Sequence, residues 1–214
     1  SDCVHLIRVH DQIHLWAENY DRQMPGFLDI HGEIGSAVAA QVKLKIITED
    51  ERQFARKTTK DPEAYDRYLR GLYHLGRYNL SDAQKAVKYF QSATERDPTY
   101  ALAHSALADA LMVFPISGDA PSSQVMPPVK EAIALALQSD PNSAEANTSD
   151  AQAKFWFDWD FKGVEDTARR AIKLNENYTL AYLWLAHVLS NTGRHEEALA
   201  IMQQALVLDP LSLI

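Results

Sequence analysis

Four times along this chain the same short ending recurs: Ala93–Pro98 (ATERDP), Ala136–Pro141 (ALQSDP), Ala171–Glu176 (AIKLNE) and Ala205–Pro210 (ALVLDP). The Asp or Asn of each ending lies 43, 35 and 34 residues beyond the one before it. Proline stops a helix because it lacks the N–H and restricts the residue ahead of it. After the first three endings comes a helix-forming run: YALAHSALADAL, SAEANTSDAQAKF and YTLAYLWLAHVL. The clearest unit is Thr179–Pro210. Its first helix is predicted over Leu180–Asn191, with Tyr182, Leu185, Ala186 and Leu189 at i, i+3, i+4, i+7 spacing. Gly193 supplies a residue that tolerates positive φ past the helix end. The second helix, His195–Leu208, carries Ala198, Met202, Ala205 and Leu206 on one face. Small residues at Ala186, Ala198 and Ala205 allow close approach. Such a hairpin cannot bury its apolar stripe alone and needs neighbours.

A helix–turn–helix unit with a period near 34 is the signature of tetratricopeptide repeats. The chain resembles that family from about Pro62 to Pro210, through Tyr182, Leu185, Ala186, Leu189, Gly193, Ala198, Ala205 and Pro210 in the last repeat and Ala86, Phe90, Ala93 and Pro98 in the first. The resemblance implies an all-α, right-handed helical solenoid with repeats at about 62–98, 99–141, 142–176 and 177–210 of a 62–214 domain.

Each repeat has its own character. The first uses Tyr65, Tyr68, Leu69 and Leu72, then Ser81 as the expected N-cap ahead of inward Ala83, Ala86, Val87, Phe90 and Ala93. The second carries nine extra residues around Ile116–Pro128, where three prolines predict a bend rather than continuous helix. The third replaces its turn by Phe155-Trp156-Phe157-Asp158-Trp159-Asp160-Phe161. Asp158 and Asp160 there are expected to cap Phe161–Leu174, and Trp156 and Trp159 to pack against the next repeat rather than form an aromatic cage. Asp150 occupies a position that ordinarily takes a large apolar residue, and Lys154 four residues on is its expected ion-pair partner.

The opening differs. Cys3–Val9 and Ile13–Tyr20 are β-prone runs around His10-Asp11-Gln12, which predicts a β-hairpin. Phe27–Ile46 reads as a long amphipathic helix and Thr48–Asp61 as a charged linker. The run LIRVHDQIHLWAENYDR, followed by FLDIHGEIGSAVAAQV, is similar to the end of the TolB-like domain that precedes tetratricopeptide repeats in bacterial regulators. His31-Gly32 departs from the usual pattern of that helix. The openings Ala64-Tyr65-Asp66 and Tyr68-Leu69, Gly71, and the turn Asp158–Phe161, also fit that subfamily. The resemblance implies a hairpin remnant of the TolB-like domain at 1–24 and a connecting helix and linker at 25–61. It further implies a parent protein with a separate winged-helix, nucleotide cyclase or kinase output domain.

Composition narrows the partners. A net charge of −8 and no basic stripe argue against nucleic acid, with Arg169-Arg170 expected on a solvated face. One cysteine, Cys3, excludes an internal disulfide framework and a cysteine metal site. No apolar run approaches the roughly 20 residues that span a bilayer, and no signal peptide opens the chain. A cytoplasmic location is expected, with the periplasm left open. His10 and His14 are four apart on a predicted hairpin rather than a helix, and His31 and Glu33 lack a third ligand, so no metal site is expected. No phosphate loop, nucleophile elbow or zinc-protease motif occurs, and neither catalysis nor a cofactor is expected.

Function then falls to the concave groove. In tetratricopeptide arrays the first helices line it. Carried onto this chain by resemblance, the groove positions are Leu102, Ser105, Asp109 and Met112, then Glu145, Thr148, Gln152 and Phe155, then Leu180, Leu183, His187 and Ser190. This mixed set lacks the Lys/Arg/Asn cluster of groove members that clamp a peptide carboxylate. A protein or peptide segment with apolar anchors is the expected partner, its own upstream domain or Phe27–Ile46 helix being a second candidate. Homodimerisation is the alternative, since Leu199, Leu206, Leu211 and Leu213 are left open at the last repeat.

Overall fold

The computed structural model of the chain describes residues 2–7, 14–20, 59–77 and 79–210. The chain divides into two compact units, Ser1–Pro62 and Glu63–Ile214. In the first, β1 (Asp2–Ile7) and β2 (His14–Tyr20) pair antiparallel, with Leu6 opposite Trp16 and Ile7 opposite His14 across an irregularity. The expected turn His10–Gln12, the helix Phe27–Ile46, and His31 and Glu33 lie outside the described residues, as does most of the linker Thr48–Asp61.

The second unit consists of eight α-helices in four hairpins. They are α1 (Pro62–Leu75) and α2 (Leu80–Arg96), α3 (Ala101–Ile116) and α4 (Ser122–Ser139), α5 (Ala144–Ala153) and α6 (Phe161–Leu174), and α7 (Thr179–Asn191) and α8 (His195–Leu208). The first helix of each later hairpin packs on the hairpin before it, α3 on α2 and α7 on α6. First helices also touch one another, α3 with α5 and α5 with α7. The result is an all-α solenoid whose inner layer is built of first helices.

The recurring endings have a shared local cause. The Asp97, Asp140, Asn175 and Asp209 backbone N–H groups donate to Ala93, Ala136, Ala171 and Ala205 carbonyls at 3.0, 2.8, 3.0 and 2.9 Å, completing the last helical turn. The side-chain oxygens of Asp97, Asp140 and Asn175 then accept from the backbone N–H two residues on, at Thr99, Asn142 and Asn177. Asp and Asn favour this turn because their short side chain mimics a backbone carbonyl. Their own carbonyls accept from Tyr100, Ser143 and Tyr178, which launches the next helix in a fixed direction. The alanines at the fourth residue back are buried because two helices close over them.

Helix starts follow capping chemistry, with one difference from expectation. Asn79, not Ser81, caps α2: its Oδ1 accepts from the Asp82 N–H at 2.9 Å, while its Nδ2 donates to Asp82 Oδ2 at 2.7 Å. This reciprocal pair fixes the start earlier than Ser81 would. Ser143 caps α5 through the Ala146 N–H, and Asp160 caps α6 through the Gly163 N–H at 2.9 Å. Asp158 does not cap; it binds Lys130 of α4, in the preceding hairpin, at 2.7 Å.

Three of the four turns between paired helices carry a left-handed residue: Gly118 at φ +77°, Gly193 at φ +82°, and in the third hairpin Trp159 at φ +54°. There α5 ends in a π-helical turn, Lys154–Asp158, so the chain overshoots and returns through a tryptophan where glycine would be at ease. In the second hairpin the extra residues lengthen both helices instead of forming a loop. Only Ser117–Pro121 is non-helical, and Pro127 and Pro128 lie inside α4. The carbonyls they leave unbonded, on Ser123 and Gln124, belong to exposed residues where water can replace the missing donors.

Four apolar clusters fill the stack. The largest joins Ala151, Val164 and Ala168 of the third hairpin to Trp184, Leu185, Val188 and Leu189 of the fourth. In the first hairpin Phe90 is fully buried and lies so close to Gly71 that a Cβ there would stand 2.6 Å from Phe90 Cδ1. Glycine is required at that contact. Leu69 and Leu72 of α1 are exposed.

Candidate functional site

The twelve groove positions separate once burial is known. Ser105 (2% exposed), Met112 (0%) and Thr148 (3%) are core residues and cannot line an open face. The Ser105 and Thr148 hydroxyls are turned back onto the Leu102 and Ala144 carbonyls of their own helices, and Met112 packs among Val125, Val129 and Ala153. The cause is that α3 and α5 each touch several neighbouring helices, so little of either remains free. Leu102, Asp109, Glu145, Gln152, Phe155, Leu180, Leu183 and His187 are partly exposed, and Ser190 is exposed.

Most of these fall into three groups. Leu180 and Leu183 line a cleft of about 60 Å³ between α7 and α8, together with Met202, Ala205 and Leu206. Phe155 and His187 meet across hairpins, ring centroids 5.7 Å apart, with Trp184 at 5.6 and 5.3 Å from them. Trp156 meets Trp184 edge-on at 6.3 Å and so packs on the next repeat, whereas Trp159, expected to do the same, is 73% exposed and meets Phe161 of its own hairpin. Burial disfavours the charged imidazole and lowers the His187 pKa, and its Nδ1 is buried without a hydrogen-bond partner.

Asp109 and Glu145 make the third group, with Tyr68 and Tyr178. Burial raises both phenols above their ordinary range, and both carboxylates push them further. The Asp109 carboxyl is itself pushed up to about 7 by burial, against a weaker opposing hydrogen bond from Ser149. Its Oδ1 is buried without a partner. A carboxyl so placed holds a proton or seeks a cation. Sequence spacing marks Asp109 and Glu145 but misses Tyr68 and Tyr178. The signal for Tyr178 is its recurrence with Tyr100 at the same step of the Asx turn.

The Asp150–Lys154 pair forms at 2.6 Å, and Lys154 also donates to Thr167 at 3.1 Å, which ties α5 to α6. Arg169, paired with Glu165 on its own helix, and exposed Arg170 lie on a solvent-facing side as expected, and Arg170 also donates to the Pro141 carbonyl. Among the described residues no group of three or more His, Cys, Asp or Glu could hold a metal ion, and no helix is long and apolar enough to cross a membrane.

Residues 167–200 match the family model of a tetratricopeptide repeat. Over 95 residues, 44% of this chain, the sequence is 30% identical to a putative adenylate cyclase 3 of Rhizobium meliloti (strain 1021), of which the match spans only 16%. Among solved structures, a thermophilic tetratricopeptide protein of Thermus thermophilus superposes with a TM-score of 0.53 at 18% identity, covering 69% of this chain and 75% of that one. The pilF protein of Pseudomonas aeruginosa does so with a TM-score of 0.53 at 20% identity, covering 70% of this chain and 63% of that one. At these identities the structures speak to fold alone. Four hairpins, their Asx-turn junctions and the match at residues 167–200 make this chain's helical unit a tetratricopeptide repeat solenoid.

Proposed function

We propose that the solenoid is a non-catalytic protein-interaction module that takes a protein segment along its inner face. The observation that carries this reading is the exposed remainder of the first helices. Asp109, Glu145, Gln152, Phe155, Leu183 and His187 present apolar, aromatic and acidic groups from three successive repeats. That mixture suits a segment with apolar anchors and a basic residue that the Asp109 and Glu145 carboxyls would meet. Sequence similarity to part of a cyclase supports a place within a larger signalling protein, with catalysis or DNA binding supplied elsewhere. Regulation of a nucleotide cyclase is one form of this reading.

The test is pull-down and titration calorimetry with candidate upstream domains and proteins, comparing the wild type with Phe155→Ala and Gln152→Lys. Gln152 is partly exposed and its variant should fold; Phe155 packs on Trp184 and His187, so its variant is read only after circular dichroism shows the fold intact. Loss of binding in both supports the inner face. Undiminished binding moves the site elsewhere.

A second reading, self-association, is favoured by Leu199, Leu206 and Val207, which are 61%, 60% and 82% exposed on α8. Sedimentation at rising concentration distinguishes the two, since only self-association gives a dimer sensitive to Leu206→Glu.

A further inference from the structure

A pocket of about 400 Å³ opens between α1 and α2 on the first hairpin, lined by Arg67, His74, Lys85, Lys88, Tyr89 and Ser92. In a chain of net charge −8 this is an uncommon local excess of cations. The cluster arises because Lys85, Lys88, Tyr89 and Ser92 recur at i, i+3, i+4, i+7 on α2 and line one pocket with Arg67 and His74, seven apart on α1. The charges are only partly answered. Asp82 takes His74 at 2.7 Å and Lys85 at 3.3 Å, while Arg67 and Lys88 make no ion pair among the described residues. The Arg67 Nε is buried with no acceptor. A buried guanidinium N–H without a partner leaves a strong directional donor unused. The stacked rings of His74 and Tyr89, 5.5 Å apart, form one wall, and Ser92 adds a hydroxyl.

We propose that this pocket binds the phosphate group of a small phosphate monoester. Arg67 and Lys88 would supply charge-assisted hydrogen bonds to the phosphate oxygens, with Ser92 a further donor. The size suits a whole small molecule, since ligand pockets begin at about 300 Å³. The stacked His74–Tyr89 wall offers a surface for the ester's organic part. This site shares no residue with the inner-face positions Asp109, Glu145, Gln152, Phe155, Leu183 and His187.

The experiment titrates the full chain at low salt with inorganic phosphate, glycerol 3-phosphate, adenosine monophosphate and a phosphoserine peptide, read by calorimetry and by NMR shifts. A small monoester should bind more tightly than inorganic phosphate. Lys88→Gln and Arg67→Gln should each weaken it by about tenfold or more, the usual scale of a lost charge-assisted bond. Lys88 is exposed, so its variant should fold and keep the test decisive if Arg67→Gln does not. Lys88→Arg should retain binding. Absence of binding by inorganic phosphate and both small esters at millimolar concentration, or binding unmoved by Lys88→Gln, overturns the proposal. Tighter binding of inorganic phosphate than of either ester overturns the monoester assignment, as does binding of the phosphopeptide alone.

Discussion

Arg194, at the head of α8, reaches across the last two hairpins to Glu165 on α6, Nη1 to Oε2 at 2.8 Å. The same carboxylate accepts from Arg169 at 2.7 Å, and Arg194 also pairs with Glu197 at 2.7 Å. Hydrogen bonds from Arg169 and then Arg194 hold Glu165 below its ordinary range. A depressed carboxylate contributes stability that is present above its unfolded pKa and lost as pH falls through the folded one. Glu165→Gln should therefore cost roughly 0.5–1 kcal/mol at pH 7, the scale of a solvent-screened pair. The cost should shrink in acid and in 1 M salt. Urea melts at pH 7 and pH 3 check this, and a cost equal at both pH values would remove the ion pair from the account.

Asp109 carries the opposite sign. Its folded pKa is raised to about 7, above the unfolded carboxylate range, so the folded state keeps a proton that the unfolded chain has already lost. Stability linked to this group is full below about pH 4 and falls as pH rises through 7. Asp109→Asn retains the shape without the charge. It should flatten the decline between pH 5 and pH 8, an effect on the order of a few kcal/mol at the high end. Chemical denaturation across that range is the measurement. An unchanged slope would mean that the carboxyl titrates normally.

At Gly71 the expectation is steric. An added Cβ would stand against the Phe90 ring, which is fully buried and has nowhere to retreat. Gly71→Ala should destabilise by about 1–3 kcal/mol, as overpacking does. Pairing it with Phe90→Leu should recover part of the loss. Thermal melting of the single and double variants decides whether the contact is rigid.

Trp159 holds a left-handed backbone at φ +54° and is 73% exposed. A non-glycine residue there costs roughly 1–2 kcal/mol, partly offset by the unfolded-chain entropy that glycine adds. Trp159→Gly should thus hold stability or raise it by up to about 1 kcal/mol in a thermal or urea melt. A substantial fall instead would assign the indole, through its 6.2 Å contact with Phe161, a structural share in the turn.

The hairpins are readable because their endings are chemical rather than merely periodic. An Asx side chain bonds two residues ahead and an alanine sits four back, and both leave a fixed trace at Asp97, Asp140 and Asn175. The helix over His195–Leu208 is found where spacing places it. The groove is less readable. Spacing assigns a residue to one face of its own helix, but the burial of Ser105, Met112 and Thr148 depends on how many neighbours close around α3 and α5. Lys85, Lys88 and Tyr89 stand out only once the packing of α1 on α2 places Arg67 opposite them. Pro127 and Pro128 mislead in the same way, because proline is tolerated where the carbonyls it strands face water.

The long second hairpin has a further consequence. Its helices run 16 and 18 residues, against 13 and 14 in the last hairpin. At about 1.5 Å per residue the difference amounts to roughly one helical turn on each helix. A stack of identical units would offer a guest the same landing at every step, and an extended chain could slide by one unit without penalty. Here the second step, close in length to the first, differs from the two that follow, whose helices run 10 and 14 and then 13 and 14 residues. The array has a built-in ruler mark, and a segment laid along it would meet one alignment and one direction unlike all others.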